Sequence, residues 1–185
     1  MELADSTKRL LQLLGGPGER FEFITAQKWL NLLSTAFPLN SNENFLYAPE
    51  FSRDRGRCDL VISQSDANFA SPWNAMGVPF LAVEFKSSNA SDTEWLTCMD
   101  QLRKTMLDIA KWKNRGQWIM GFAAAGTEFQ FFYLENGEFK WDTHHDSAVL
   151  NLYDPAGQDC VSEDALRRLS MYLDFIEAHT PVKTM

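Results

Sequence analysis

The sequence predicts an α/β domain with a central mixed β-sheet flanked by helices. Three observations carry that expectation. Two apolar strands, RCDLVISQ and PFLAVEFK, follow one another in the first half of the chain. A long helical run, EWLTCMDQLRKTMLDIAKWKN, separates them from further strands. Helical segments open and close the chain. The order helices, strand, strand, helix, strands, helix builds a helix-covered sheet.

Residues 4–14 read as a short helix, ended by the breaker run GGPG. Residues 20–37 read as a second helix, with Phe23, Leu30, Leu33 and Phe37 at helical spacing. PLNSNEN is a loop. RCDLVISQ, 57–64, is a strand in which Leu60 and Ile62 alternate against Val61. SDANFASPWNAMG is a polar connection without a period, and PFLAVEFK, 79–86, is the next strand. After the loop SSNASD, Ser91 or Asp92 caps a helix with acids early and Lys/Arg late, matching the helix dipole; Gly116 ends it. QWIMGFAAA and TEFQFFYL are strands with Gly126 at their turn. ENGEFKW continues as a hairpin through Asn136-Gly137. HHDSAVLNLYDPAGQD is a loop holding a short strand, and Ser162 starts a final helix that runs to about His179. No repeat or linker interrupts this order, so residues 1–185 read as a single domain, a length that suits one core.

Composition narrows the function. With 45% apolar and 13% aromatic residues the chain is globular rather than disordered. No apolar run approaches the roughly 20 residues of a membrane span, so no membrane partner is expected. The N-terminus lacks the basic-then-apolar pattern of a signal peptide. Cys58, Cys98 and Cys160 are far apart and form no CxxC, against a disulfide scaffold or a structural zinc site. The expected home is a reducing compartment, cytoplasm or nucleus. A net charge of −8 weighs against broad nucleic-acid binding. That charge is uneven: residues 45–116 hold nine Lys/Arg and nine Asp/Glu, so the excess acid lies outside the central segment.

Within that neutral segment, Glu84 and Lys86 stand two apart on an apolar strand and share one face, with Val83 and Phe85 on the other. A buried charge persists only when paired or bound to a metal. Asp59 repeats the event on the preceding strand. If the strands are neighbours, Asp59 and Glu84 converge with Lys86 beside them. Two carboxylates and a backbone carbonyl make a hard-oxygen site suited to Mg²⁺ or Mn²⁺. A lysine there orients water or steadies the charge that develops during phosphodiester hydrolysis.

The phrase GRCDLVIS, a spacer, then AVEFKSS resembles the restriction-endonuclease-like, or PD-(D/E)xK, nuclease superfamily, in the style of its stand-alone eukaryotic, fungal-type members. The resemblance includes Glu50, Gly56, Arg57 and Asp59, and Gln101 in the helix after EFK. It covers roughly residues 20–135. Cys58 stands where the family's name has proline. The resemblance implies a restriction-endonuclease-like core. It implies Asp59, Glu84 and the Phe85 carbonyl as metal ligands, Lys86 as the catalytic lysine and Gln101 facing the site. An added acid is implied as well, with Glu22 and Glu50 both candidates. Cleavage as a homodimer or with a targeting partner is usual for compact members.

Other readings stay open. Glu84 and Lys86 fit a solvent-facing pair, although the LAV run and the following helix argue for a strand covered on both faces. Trp73, in the connection between the two site strands, suits stacking on a base or stapling its loop. Arg57, Arg103 and Lys104 belong to a candidate phosphate-facing patch, for which solvation and dipole matching are the plainer account. His144, His145 and Asp146 have no Cys or Glu at ligand spacing and read as an exposed loop. The leading function is a Mg²⁺- or Mn²⁺-dependent nuclease on DNA or RNA. The alternatives are a restriction-like fold serving as a protein-interaction module, or an enzyme on a small organic substrate.

Overall fold

A computed structural model describes residues 22–39, 45–53, 56–64, 77–113, 119–135, 137–141, 149–152 and 162–178. The expected helix at 4–14, Trp73, Gly116, the His144–Asp146 cluster and Cys160 lie outside these residues.

Helix α1 (Glu22–Ala36) buries Thr25, Trp29, Leu32 and Leu33, and the chain leaves it through buried Phe37. Phe23, expected on the apolar side, is 67% exposed. The buried stripe is centred on Trp29, and Phe23 lies about 120° around the helix from it at 100° per residue.

Strand β1 (Phe45–Arg53) was not legible as a strand, and it forms an antiparallel hairpin with β2 (Gly56–Gln64). Pro49 interrupts its pattern, but β1 lies at the sheet edge, where proline is tolerated. At Glu50 the backbone takes φ +48°, and the ladder skips the Glu50–Asp59 pair between Pro49–Leu60 and Phe51–Cys58.

Strand β3 (Val78–Lys86) pairs antiparallel with β2 and is buried from Val78 to Phe85. Helix α2 (Asp92–Lys113) crosses over to β4 (Ile119–Ala125), which pairs parallel with β3. A capping box starts α2: the Ser91 N–H donates to Glu94 Oε2 at 2.7 Å, and the Glu94 N–H donates to Ser91 Oγ at 3.3 Å. Gly126 turns the chain at φ +60° into β5 (Glu128–Glu135), antiparallel to β4. Strands β6 (Glu138–Trp141) and β7 (Leu150–Asn151) share the far side of β5. Helix α3 (Glu163–Ala178) begins with the Ala165 N–H donating to Ser162 Oγ.

The sheet is mixed and mostly antiparallel, in the order β1-β2-β3-β4-β5-β6 with β7 beside β5. Helices α1 and α3 cover one face over an aromatic core of Trp29, Phe37, Phe45, Phe80, Phe85, Phe122, Phe129 and Phe131. Helix α2 covers the other over Cys58, Val61, Ala82, Cys98, Leu102, Met106 and Ala123. No helix among the described residues is long and apolar enough to cross a membrane.

Candidate active site

The β2–β3 ladder runs from Gln64–Val78 to Leu60–Val83 and stops there. Asp59 is the one residue of β2 paired with neither neighbour. Carboxylates stitch the gap instead. The Phe85 N–H donates to Asp59 Oδ2 at 2.6 Å, and the Asp59 N–H donates to Glu84 Oε2 at 3.3 Å. The strands therefore stay adjacent where regular pairing has ended, and the two acids meet.

Lys86 closes the cluster. Its Nζ donates to Glu84 Oε1 and to the Phe85 carbonyl, both at 2.9 Å. The side chains of Glu84 and Lys86 are 2% and 15% exposed, so the solvent-facing reading of this pair does not hold. Burial lifts the Glu84 carboxyl to about 7; the Lys86 hydrogen bond pulls it down and the Asp59 charge pushes it up. Burial works to lower Lys86, but the Glu84 hydrogen bond and charge outweigh it and hold the ammonium above its ordinary value. Both groups are raised, Glu84 by its burial and Lys86 by its bond to Glu84. The Glu84 proton is in play near neutral pH, while Lys86 stays charged.

Of the two candidate extra acids, Glu22 at the start of α1 is close enough for its charge to act on Lys86 and on Cys98. Glu50, at a positive φ, lies 3.6 Å from Arg57, the two side chains being 78% and 68% exposed. Gln101 sits half-buried one turn beyond Cys98 and forms no hydrogen bond with Asp59, Glu84 or Lys86. Arg103 and Lys104 lie on the exposed side of α2, Lys104 within 2.5 Å of Asp100. They are not brought to the carboxylates.

Two cysteines line the site, a role the sequence did not suggest for either. Cys98 Sγ points at the Glu84 carbonyl from 4.0 Å, and Cys58 Sγ donates to the Leu60 carbonyl at 3.3 Å. Burial, then the Glu84 charge, pushes both thiols up to about 12, so they remain protonated and are poor nucleophiles. Adjacency was the available signal: Cys58 precedes Asp59, and Cys98 is one turn from Gln101.

Asp59, Glu84 and the Phe85 carbonyl form an all-oxygen donor set, the chemistry that Mg²⁺ and Mn²⁺ accept. Among the described residues no group of three or more His, Cys, Asp or Glu side chains is placed to hold a metal ion, so Asp59 and Glu84 are the only side-chain donors described there. The donors suit an ion that keeps part of its water shell, as Mg²⁺ usually does. Compared with known proteins, the chain matches no family model, no curated protein and no solved structure.

Proposed function

We propose that the chain is a Mg²⁺- or Mn²⁺-dependent phosphodiesterase of the PD-(D/E)xK type, acting on DNA or RNA. One observation carries the reading: a buried Glu84–Lys86 pair meets Asp59 at the point where the β2–β3 ladder stops. Two carboxylates and a lysine are costly to bury at such a break, and metal-assisted hydrolysis gives them a use. Asp59 and Glu84 would hold the ion, with the Phe85 carbonyl as a third donor. When bound, the ion polarises the phosphate and acidifies a water. Lys86 keeps a fixed positive charge at the same place and steadies the negative charge of the transition state.

Mn²⁺ calorimetry on the wild type and Glu84→Gln tests this, with a cleavage assay on single- and double-stranded DNA and RNA. The wild type binds and cleaves, and Glu84→Gln does neither. Lys86→Ala still binds Mn²⁺ but cleaves about 10²–10³-fold more slowly. A wild type that binds no Mn²⁺ ends the metal-dependent mechanism.

A second reading, a restriction-like fold that recognises protein or a small organic molecule, is favoured by the surface cations. Arg57, Lys104 and Lys111 each sit against a carboxylate, of Glu50, Asp100 and Asp108. Cations so matched offer little to a polyphosphate backbone. Mn²⁺ binding without cleavage of any nucleic acid, at any salt concentration, would select it.

A further inference from the structure

The two strands of the site are held in different ways. Beyond Val83, β3 has lost β2 as a ladder partner but keeps β4: Glu84, Phe85 and Lys86 pair with Ala123, Ala124 and Ala125. The turn after β4 is itself fixed. A Cβ at Gly126 would lie 2.5 Å from Ser88 Cβ, so the turn presses on the segment that follows Lys86. From the other face, the Trp29 indole Nε1–H donates to the Gly126 carbonyl at 2.9 Å. Glu84 and Lys86 are therefore placed by β4. Asp59 has no such support, being paired with neither neighbour.

Strand β2 changes phase at that residue. Leu60 and Ile62 enter the aromatic core and Val61 lies under α2. Alternation would carry Cys58 to the aromatic side with Leu60. Cys58 packs under α2 instead, and its Sγ spans the irregularity by donating to the Leu60 carbonyl. A break of this kind re-aims a side chain. The Asp59 carboxylate lies toward β3 and takes the Phe85 N–H at 2.6 Å, the donor that a β2 carbonyl would take in a continued ladder. Directly opposite stands Glu50, between the pairs Pro49–Leu60 and Phe51–Cys58. Among the described residues it alone, glycines aside, has a positive φ, +48°. That conformation is unfavourable for a glutamate. Its side chain gives little in return, since the ion pair with Arg57 is largely exposed on both sides.

We propose that Glu50 is a positioning residue that acts through its backbone. Its left-handed φ interrupts the β1–β2 ladder at one step, lets β2 change phase there, and turns the Asp59 carboxylate along the sheet toward Glu84. The Glu50 carboxylate takes no part and is not the added acid. The proposal rests on the metal-dependent reading above, in which Asp59 is a ligand. It accounts for the coincidence of three irregularities at one rung: the positive φ, the missing pair and the change of face.

The test is Mn²⁺ affinity across variants of position 50, with exchange of the Phe85 amide proton followed by NMR and the Phe122 amide as the reference for global unfolding. Glycine accepts a positive φ freely, and a β-branched residue resists it. Glu50→Gly and Glu50→Gln bind Mn²⁺ within about twofold of the wild type and keep the Phe85 amide protected. Glu50→Val binds about tenfold more weakly, and its Phe85 amide exchanges faster while that of Phe122 does not. A loss in Glu50→Gly or Glu50→Gln as large as in Glu50→Val overturns the proposal, because the carboxylate is then the working group. Where the wild type binds, unchanged affinity in Glu50→Val overturns it as well. A wild type that binds no Mn²⁺ ends the parent mechanism alone. The Phe85 amide then decides: faster exchange in Glu50→Val than in Glu50→Gly supports the aiming of Asp59, and equal rates overturn it. Should Glu50→Val fail to fold, Glu50→Thr is read in the same way.

Discussion

The two faces of the sheet are built from different materials. The α1/α3 face is aromatic, with Phe37, Phe45 and Phe80 in mutual contact and Phe131 stacked on Tyr172 at 4.3 Å. The α2 face is lined near the site by small or thin groups: Cys58, Ala82, Cys98 and Ala123. Strand β3 serves both. Val83 and Phe85 enter the aromatic core, while Glu84 between them faces the other way. Large rings supply area and fix the strand; small neighbours leave room for a carboxylate and the ammonium that neutralises it. Stability and chemistry are thus separated by the alternation of a single strand.

The largest effect expected is on the aromatic side. Phe122→Ala opens a cavity beneath Trp29 and Phe131 and costs about 3–5 kcal/mol in urea unfolding. A loss below about 1 kcal/mol would show that the aromatic face is not the stabilising one.

Next comes the pH dependence of the α2 side. The folded Glu84 carboxyl lies near 7, above its ordinary 4.5. Between those values the unfolded chain binds fewer protons, so stability falls as pH rises through that window. Lys86→Met removes the neutralising charge and steepens the fall. We expect a loss of about 2–3 kcal/mol at pH 8 and little at pH 5, measured as urea midpoints at both. Equal losses at the two pH values would mean that Glu84 is not the group responsible.

Gly126→Ala tests the seam between the two sides. Its φ of +60° and the Ser88 clash give an expected cost of about 2 kcal/mol by thermal unfolding. Ser91→Ala, at the solvent end of α2, removes one half of the capping box. It costs about 1 kcal/mol and should leave Mn²⁺ affinity unchanged. A change in affinity would tie the helix start to the site and blur the separation.

How much of this was readable in the sequence follows from the same contrast. Strands β2, β3, β4 and β5 announce themselves as apolar runs, and Glu84 and Lys86 stand out because charges in such a run are conspicuous. Strand β1 does not, because Pro49 and Glu50 break its alternation and an edge strand tolerates the break. No local pattern shows that Glu50 takes a positive φ and lies 78% exposed beside Arg57, nor that α1 docks through a residue 97 positions away. Cys58 and Cys98 were hidden for the opposite reason, since a buried thiol reads as small apolar filler.

The bond from Trp29 to Gly126 also has a consequence for synthesis. The acceptor is made 97 residues after the donor. At about 5–20 residues per second, α1 waits roughly 5–20 s before its partner turn exists. Phe37 waits for Phe80 on β3, and Trp29 waits longer, until Phe122 on β4 and the Gly126 turn are made. The nascent chain therefore presents an apolar helix early and for long, a segment that chaperones would be expected to hold until the β4–β5 turn is complete.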